Sequence, residues 1–182
     1  LHDVPEDQVN VIALEAVDII ARGLYAGESH YATSDRVSPV DADLPIPGFN
    51  RDEQNRLKQE AFYKAGTWFF NRKGFNGASL DEIADYLSVS KGAFYYHIRN
   101  KEDLLYHCYN YSLDILAHVY DSAEAREGTG MQKIEQTSRQ IFYIQNSNLG
   151  PLIRYNTITA LPKDRRKQIL ARTDAINDRF VQ

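Results

Sequence analysis

Between Ser88 and Lys101 the chain carries three cations, Lys91, Arg99 and Lys101, and no acid. Tyr95, Tyr96 and His97 lie among them, and the small residues Gly92 and Ala93 follow Lys91 directly. Ammonium, imidazole and phenol groups donate to phosphate oxygens and to acceptors on base edges, and small residues let a backbone approach a polyanion closely. Gly92 and Ala93 are therefore placed to let a backbone come near bases and phosphates, and Lys91 to reach either. Tyr95 and Tyr96 can stack on sugars or thymine methyls and donate to phosphate, and His97 and Lys101 add donors. The same residues also admit plain packing, with either tyrosine half-buried in a core.

Positioning such a row requires a rigid short helix held by a second one. Ser79 and, three residues later, Glu82 have the spacing of a capping box, and Leu80, Ile83, Ala84 and Leu87 then recur at helical spacing. Val89 is an apolar turn residue, and Ser90 is placed to cap a helix over Lys91 to His97. Phe94 and Ile98, four residues apart, are expected to face inward, which turns the remaining side chains outward. Helix, turn, helix is the arrangement that delivers one helix into a major groove, where each base pair has its own donor and acceptor pattern.

The full chain has 182 residues, a net charge of −4 and a single cysteine, Cys108. Its acidity is concentrated in residues 1–50, where nine acids face two arginines. No intrachain disulfide or cysteine cage for zinc is available, and no apolar run approaches the roughly 18 residues of a membrane span. These features fit a cytoplasmic protein without a membrane partner. His107 and His118 would lie ~16 Å apart on one helix, too far to share a metal. His107 and Cys108 are adjacent and point to different faces, and no glycine-rich phosphate loop is present, so an enzyme, a metal site and a cofactor are not expected.

Helical periodicity dominates elsewhere and no segment alternates with period two, so the expected fold is all-α. Val9, Ile12, Ala13, Ala16, Val17, Ile20 and Leu24 share one helical face, which predicts an amphipathic helix within residues 1–27. Residues 28–50, with Pro39, Pro45, Pro47 and Gly48, read as a linker. From Arg51 a long helix is predicted, with Leu57, Ala61, Ala65, Trp68 and Phe69 on its buried side and Gly74 as its stop. Asn100 is placed to cap another helix running to about Glu127, broken by Gly128 and Gly130. Met131, Ile134, Ser138, Ile141, Phe142 and Gln145 mark the next. Gly150 and Pro151 open a shorter one to about Ala160, and Pro162 opens a last one with Ile169, Thr173, Ile176 and Phe180 on one face.

Residues 57–107 resemble the N-terminal domain of the tetracycline-repressor (TetR) family of bacterial regulators. The resemblance rests on the Gly74-Phe75 turn, the run Ser79 to Ala84, the run Val89 to His97, and Lys101 to Leu105. Ile98 stands where that family usually has phenylalanine. The resemblance implies a three-helix DNA-binding domain over 51–107 and a partial helical effector and dimerisation domain over 108–182. It also implies base or methyl contacts from Lys91, Ala93 and Tyr95, beside which Gly92 is placed. Phosphate contacts follow from Ser79, Tyr96, His97 and Lys101, with Ser90 alongside. The implied partners are a double-stranded DNA operator, an unknown small-molecule effector and a second copy of the full-length protein.

Tyr106, Tyr109, Tyr120, Phe142, Tyr143, Tyr155 and Asn156 are the expected lining of the effector cavity. Residues 1–27 resemble the last helix of such a domain, which leads us to expect a piece of a chain bearing two modules in tandem; a helical extension packed on a single module is the other reading. The expected function is a ligand-responsive repressor, and the alternative is a helical interaction module that has lost DNA binding.

Overall fold

The computed structural model describes residues 51–178. The expected helix within 1–27, the linker 28–50 and Phe180 lie outside the described residues. Among the described residues, six α-helices and one 3-10 helix follow in order: α1 Arg51–Gly77, α2 Leu80–Tyr86, α3 Lys91–His97, α4 Lys101–Glu124, α5 Gly130–Gln145, the 3-10 helix Tyr155–Ala160, and α6 Lys163–Asn177. No strand occurs among them, so the all-α expectation holds. Residues 51–115 and 151–178 form one compact unit, and residues 116–150 belong to another.

In the first unit α1 and α4 cross closely at Gly66. A Cβ there would lie 2.9 Å from the Cys108 sulfur and 3.0 Å from Leu104. The Cys108 thiol reaches the Tyr63 carbonyl at 3.3 Å, and burial pushes its pKa up to about 12. The buried side of α1 is carried by Phe62, Ala65, Thr67, Phe69 and Phe70. Leu57, expected on that side, is exposed, and Trp68 is only half-buried. The face is rotated because Gly66 brings α4 against it and Phe94 of α3 packs on Phe62, so neighbours on two sides select the aromatic positions. At Gly74 the backbone turns left-handed (φ 70°), as expected of a stop residue, and helical hydrogen bonding resumes briefly to Gly77.

The segment after Gly150 departs from expectation. Instead of an α-helix from Gly150 to Ala160, the chain forms only the 3-10 turn Tyr155–Ala160. Side chains from α1 and α4 take over the backbone bonds of the preceding residues. The Asn71 amide donates to the Leu152 carbonyl at 2.8 Å and accepts from the Arg154 N–H at 2.9 Å, while Ser112 accepts from the Ile153 N–H at 3.0 Å. With those groups satisfied from outside, a helix has nothing to gain there. Helix α6 buries Ile169 and Ile176 as expected and is tied to α4 by polar contacts. Arg165 meets Asp103 at 2.8 Å, and Arg172 reaches the Asn110 side chain at 2.8 Å and Asp114.

Asp103 is almost wholly buried. Burial alone would raise its pKa, but the Arg165 guanidinium, the Arg99 N–H and the nearby His107 together hold it below the usual carboxylate range. His107 stacks on Tyr63 with ring centroids 5.2 Å apart, and burial lowers its pKa against the pull of Asp103.

In the second unit Thr129 caps α5 with a complete capping box. Its hydroxyl accepts from the Gln132 N–H, and the Gln132 side chain accepts from the Thr129 N–H at 2.8 Å. The buried positions of α5 are mainly polar, Glu135, Gln136, Thr137, Arg139 and Gln140 beside Ile144, whereas Ile134 is exposed. An ion pair one turn apart, Arg139 to Glu135 at 2.9 Å, lets two of these charges be buried together.

Two outcomes test this packing. Gly66→Val is expected to destabilise the first unit by about 1–3 kcal/mol through overpacking, read as a lower urea midpoint, and Cys108→Ala in the same chain is expected to recover part of the loss. A carboxyl whose pKa is lower in the folded than in the unfolded chain stabilises fully above the unfolded value and loses that contribution as pH falls through the folded one. Asp103→Asn is therefore expected to lower the urea midpoint at pH 7, with the gap from wild type closing below about pH 4.

Candidate nucleic-acid interface

Helix α2 starts from Ser79 in an extended conformation, but the serine hydroxyl makes no cap hydrogen bond. The expected capping box is absent because Glu82 is turned toward Lys73 of α1, whose ammonium lies 3.0 Å from its carboxylate. A charged donor attracts that carboxylate more strongly than a neutral backbone N–H. The turn between α2 and α3 passes through Ser88, a non-glycine residue in the left-handed region (φ 55°), and is closed by the Val89 N–H on the Ala84 carbonyl at 3.1 Å. Ser90 then caps α3 as expected, its hydroxyl accepting from the Ala93 N–H at 3.2 Å.

The bounds of α3, Lys91–His97, coincide with the sequence expectation. Phe94 is the one buried residue within it, at 0% exposure, and Ile98 just beyond is 1% exposed. Phe94 sits 5.0 Å from the Phe62 ring. This single anchor leaves Lys91, Gly92, Ala93, Tyr95 and Tyr96 facing outward, the tyrosines 45% and 85% exposed. A Cβ at Gly92 would meet nothing within 4 Å, so no contact inside the protein requires glycine there. His97 is half-buried, with Phe62 on one side at 5.7 Å and Tyr96 edge-on at 5.0 Å.

Two cations of this face are already engaged. Lys91 donates to Asp81 at 2.6 Å, and the Tyr95 hydroxyl donates to the other oxygen of the same carboxylate at 3.2 Å. Lys101 donates to the Ala78 carbonyl at 3.0 Å while its ammonium lies 4.8 Å from the Phe75 ring centre. Each ammonium keeps further protons for an incoming anion. Nothing in the sequence around Asp81 marks it as part of this face. An acid in the first turn of a helix is the ordinary preference of the helix dipole, so only its spatial position opposite α3 marks it. At the base of the face Asn100 accepts from the Asp103 N–H at 2.7 Å and starts α4.

The seven aromatic and polar residues expected to line an effector cavity fall in both units. In the first unit Tyr109 is wholly buried, its hydroxyl bound to the Arg154 carbonyl at 3.0 Å and near the Thr157 hydroxyl at 3.1 Å, with its pKa pushed up to about 12 by burial. Tyr155 packs against it at 5.6 Å and bonds through its hydroxyl to Thr173. Tyr106 donates to Gln168 at 2.7 Å beneath the Arg165 guanidinium, and Asn156 is exposed. Tyr120, Phe142 and Tyr143 are half-buried residues of the second unit.

Residues 63–108 match the family model described as bacterial regulatory proteins, tetR family. Over 140 residues the chain is 29% identical to the TetC protein of transposon Tn10 from Escherichia coli, covering 73% of this chain and 71% of that protein. Over 63 residues it is 33% identical to IcaR of Staphylococcus epidermidis, an HTH-type negative transcriptional regulator of the biofilm operon icaADBC. That match covers 32% of this chain and 34% of IcaR, about a third of the relative's length. The crystal structure of the TetR family transcriptional regulator PfmR from Thermus thermophilus has a similar fold. Its TM-score is 0.53 at 20% identity, over 66% of this chain and 65% of that one.

Removing the α3 cap tests how this surface is held. Ser90→Ala is expected to cost about 1 kcal/mol in urea unfolding, whereas Ser79→Ala, which loses no cap bond, is expected to stay within about 0.5 kcal/mol of wild type.

Proposed function

The chain belongs to the TetR family of bacterial transcriptional regulators, and on that premise we propose that it is a ligand-responsive repressor that reads a duplex operator with α3. The observation that carries this reading is the outward row Lys91, Gly92, Ala93, Tyr95 and Tyr96, left exposed on a helix whose one buried residue is Phe94. Such a helix is narrow enough for the major groove and presents both base-reading and phosphate-binding groups. Lys91, Gly92, Ala93 and Tyr95 face the bases. Ser79, Ser90, Tyr96, His97 and Lys101 face the phosphates on either side.

Residues 51–107 form the DNA-binding domain in this reading, and the helical region after residue 107 takes a small-molecule effector and a second copy of the full-length protein. Tyr106, Tyr120, Phe142, Tyr143, Tyr155 and Asn156 remain candidates for the effector site. Tyr109 contributes there through packing, since its hydroxyl is engaged internally. Repression is supported by IcaR, a negative transcriptional regulator by name. The protein acts in the cytoplasm, where its operator lies.

A mobility-shift titration at several salt concentrations tests this reading. The chain is expected to prefer particular duplexes, with log affinity falling linearly in log salt. Tyr96→Ala and Lys101→Ala are expected to weaken all duplexes alike, Lys101→Ala lowering the salt slope by about one. Lys91→Ala and Tyr95→Ala are expected to shift sequence preference by about 1–3 kcal/mol at one base position each. Absence of sequence preference at every salt concentration would identify an interaction module instead, and equal losses for all four variants would refute the division of roles.

A further inference from the structure

We infer that Asp81 fixes the hydrogen-bonding sense of Tyr95, making this tyrosine an acceptor that selects a base bearing an amino group. The inference rests on the reading of α3 as a DNA-recognition helix. Asp81 stands on α2, and its two oxygens receive the Lys91 ammonium at 2.6 Å and the Tyr95 hydroxyl at 3.2 Å. Lys91 and Tyr95 are four residues apart and share one side of α3. An ionised carboxylate only accepts hydrogen bonds, and a phenol has a single proton. With that proton directed at Asp81, the Tyr95 oxygen offers only lone pairs to anything arriving from solvent.

In the major groove the donors are the amino groups of adenine and cytosine, whereas guanine and thymine present oxygen acceptors. A Tyr95 locked as acceptor therefore favours adenine or cytosine and disfavours guanine, thymine and phosphate oxygens. Lys91 has the opposite sense. One of its protons goes to Asp81 and the others remain donors, suited to the paired acceptors of guanine. Asp81 thus gives neighbouring side chains on one face complementary readings, and it is a positioning residue that need not touch the DNA.

The charge states agree with this geometry. Hydrogen bonding to Lys91 above all, and then to Tyr95, lowers the Asp81 pKa, while the Tyr95 phenol is raised by burial and by Asp81. Exposed ion pairs contribute little to stability, so the effect belongs in specificity rather than in folding.

The test is selection by the full chain from a pool of randomised duplexes, followed by dissociation constants for single-base variants of the best site. Wild type is expected to show one position at which adenine or cytosine is preferred over guanine or thymine by about tenfold. Tyr95→Phe is expected to flatten that position to within about twofold and leave the others unchanged, whereas Asp81→Ala is expected to flatten the same position and, by releasing Lys91, also to weaken the preference at the position Lys91 reads. Asp81→Asn, whose amide both donates and accepts, is expected to admit guanine or thymine there; if circular dichroism shows that Asp81→Ala has lost helix, this variant decides. A wild-type preference left intact in Asp81→Asn, or a loss in Tyr95→Phe at a different position, overturns the inference and leaves DNA binding standing. A wild type without sequence preference overturns the DNA-binding reading and this inference together.

Discussion

The close crossing of α1 and α4 at Gly66 is the contact on which the first unit depends. Helix axes normally stand 8–10 Å apart according to the side chains between them, and a residue without Cβ brings them to the near end of that range. Here the space is filled by Cys108 and Leu104. One turn before Gly66 on α1, Phe62 forms the seat for Phe94, the buried anchor of α3. A seven-residue helix has too few internal hydrogen bonds to be stable alone, so α3 owes its existence to Phe94, Ile98 and the Ser90 cap.

Rigid support below allows an unusual surface above. Of the residues from Lys91 to His97, one is buried and five are exposed, including two tyrosines. Large exposed aromatic side chains beside cations have little value to a monomer's stability, yet they are what a groove of bases and phosphates rewards. The cations are held, Lys91 by Asp81 and Lys101 by the Ala78 carbonyl and the Phe75 ring. Such restraint reduces the conformational entropy that a flexible lysine loses when it binds.

The segment from Pro151 to Asn177 is joined to α1 and α4 by polar rather than purely apolar contacts. Asn71 brackets Leu152 and Arg154, Ser112 takes Ile153, and Arg165 and Arg172 reach back to Asp103, Asn110 and Asp114. Directional bonds of this kind have discrete geometries, so a shift of the segment exchanges partners instead of sliding continuously. Asp103 is the most consequential of them, because it also accepts from the Arg99 N–H at the end of the α3 region.

The sequence by itself determined the local pieces. The bounds of α3, its cap at Ser90, the inward pair Phe94 and Ile98, the stop at Gly74 and the start of α4 at Asn100 are all legible, because caps, turns and periodicity act over a few residues. So was the candidate interface, since small, cationic and aromatic residues are adjacent in the chain. What the tertiary structure decided depends on neighbours that are distant in sequence. Lys73 drew Glu82 away from Ser79 and removed the expected capping box. Gly66 and Phe94 rotated the buried face of α1 away from Leu57, and Asn71 with Ser112 held residues 152–154 extended where a helix was expected. Asp81 opposite Lys91 and Tyr95 belongs to the same class: ten and fourteen residues of separation carry no local signal, and only the angle between α2 and α3 brings the three together.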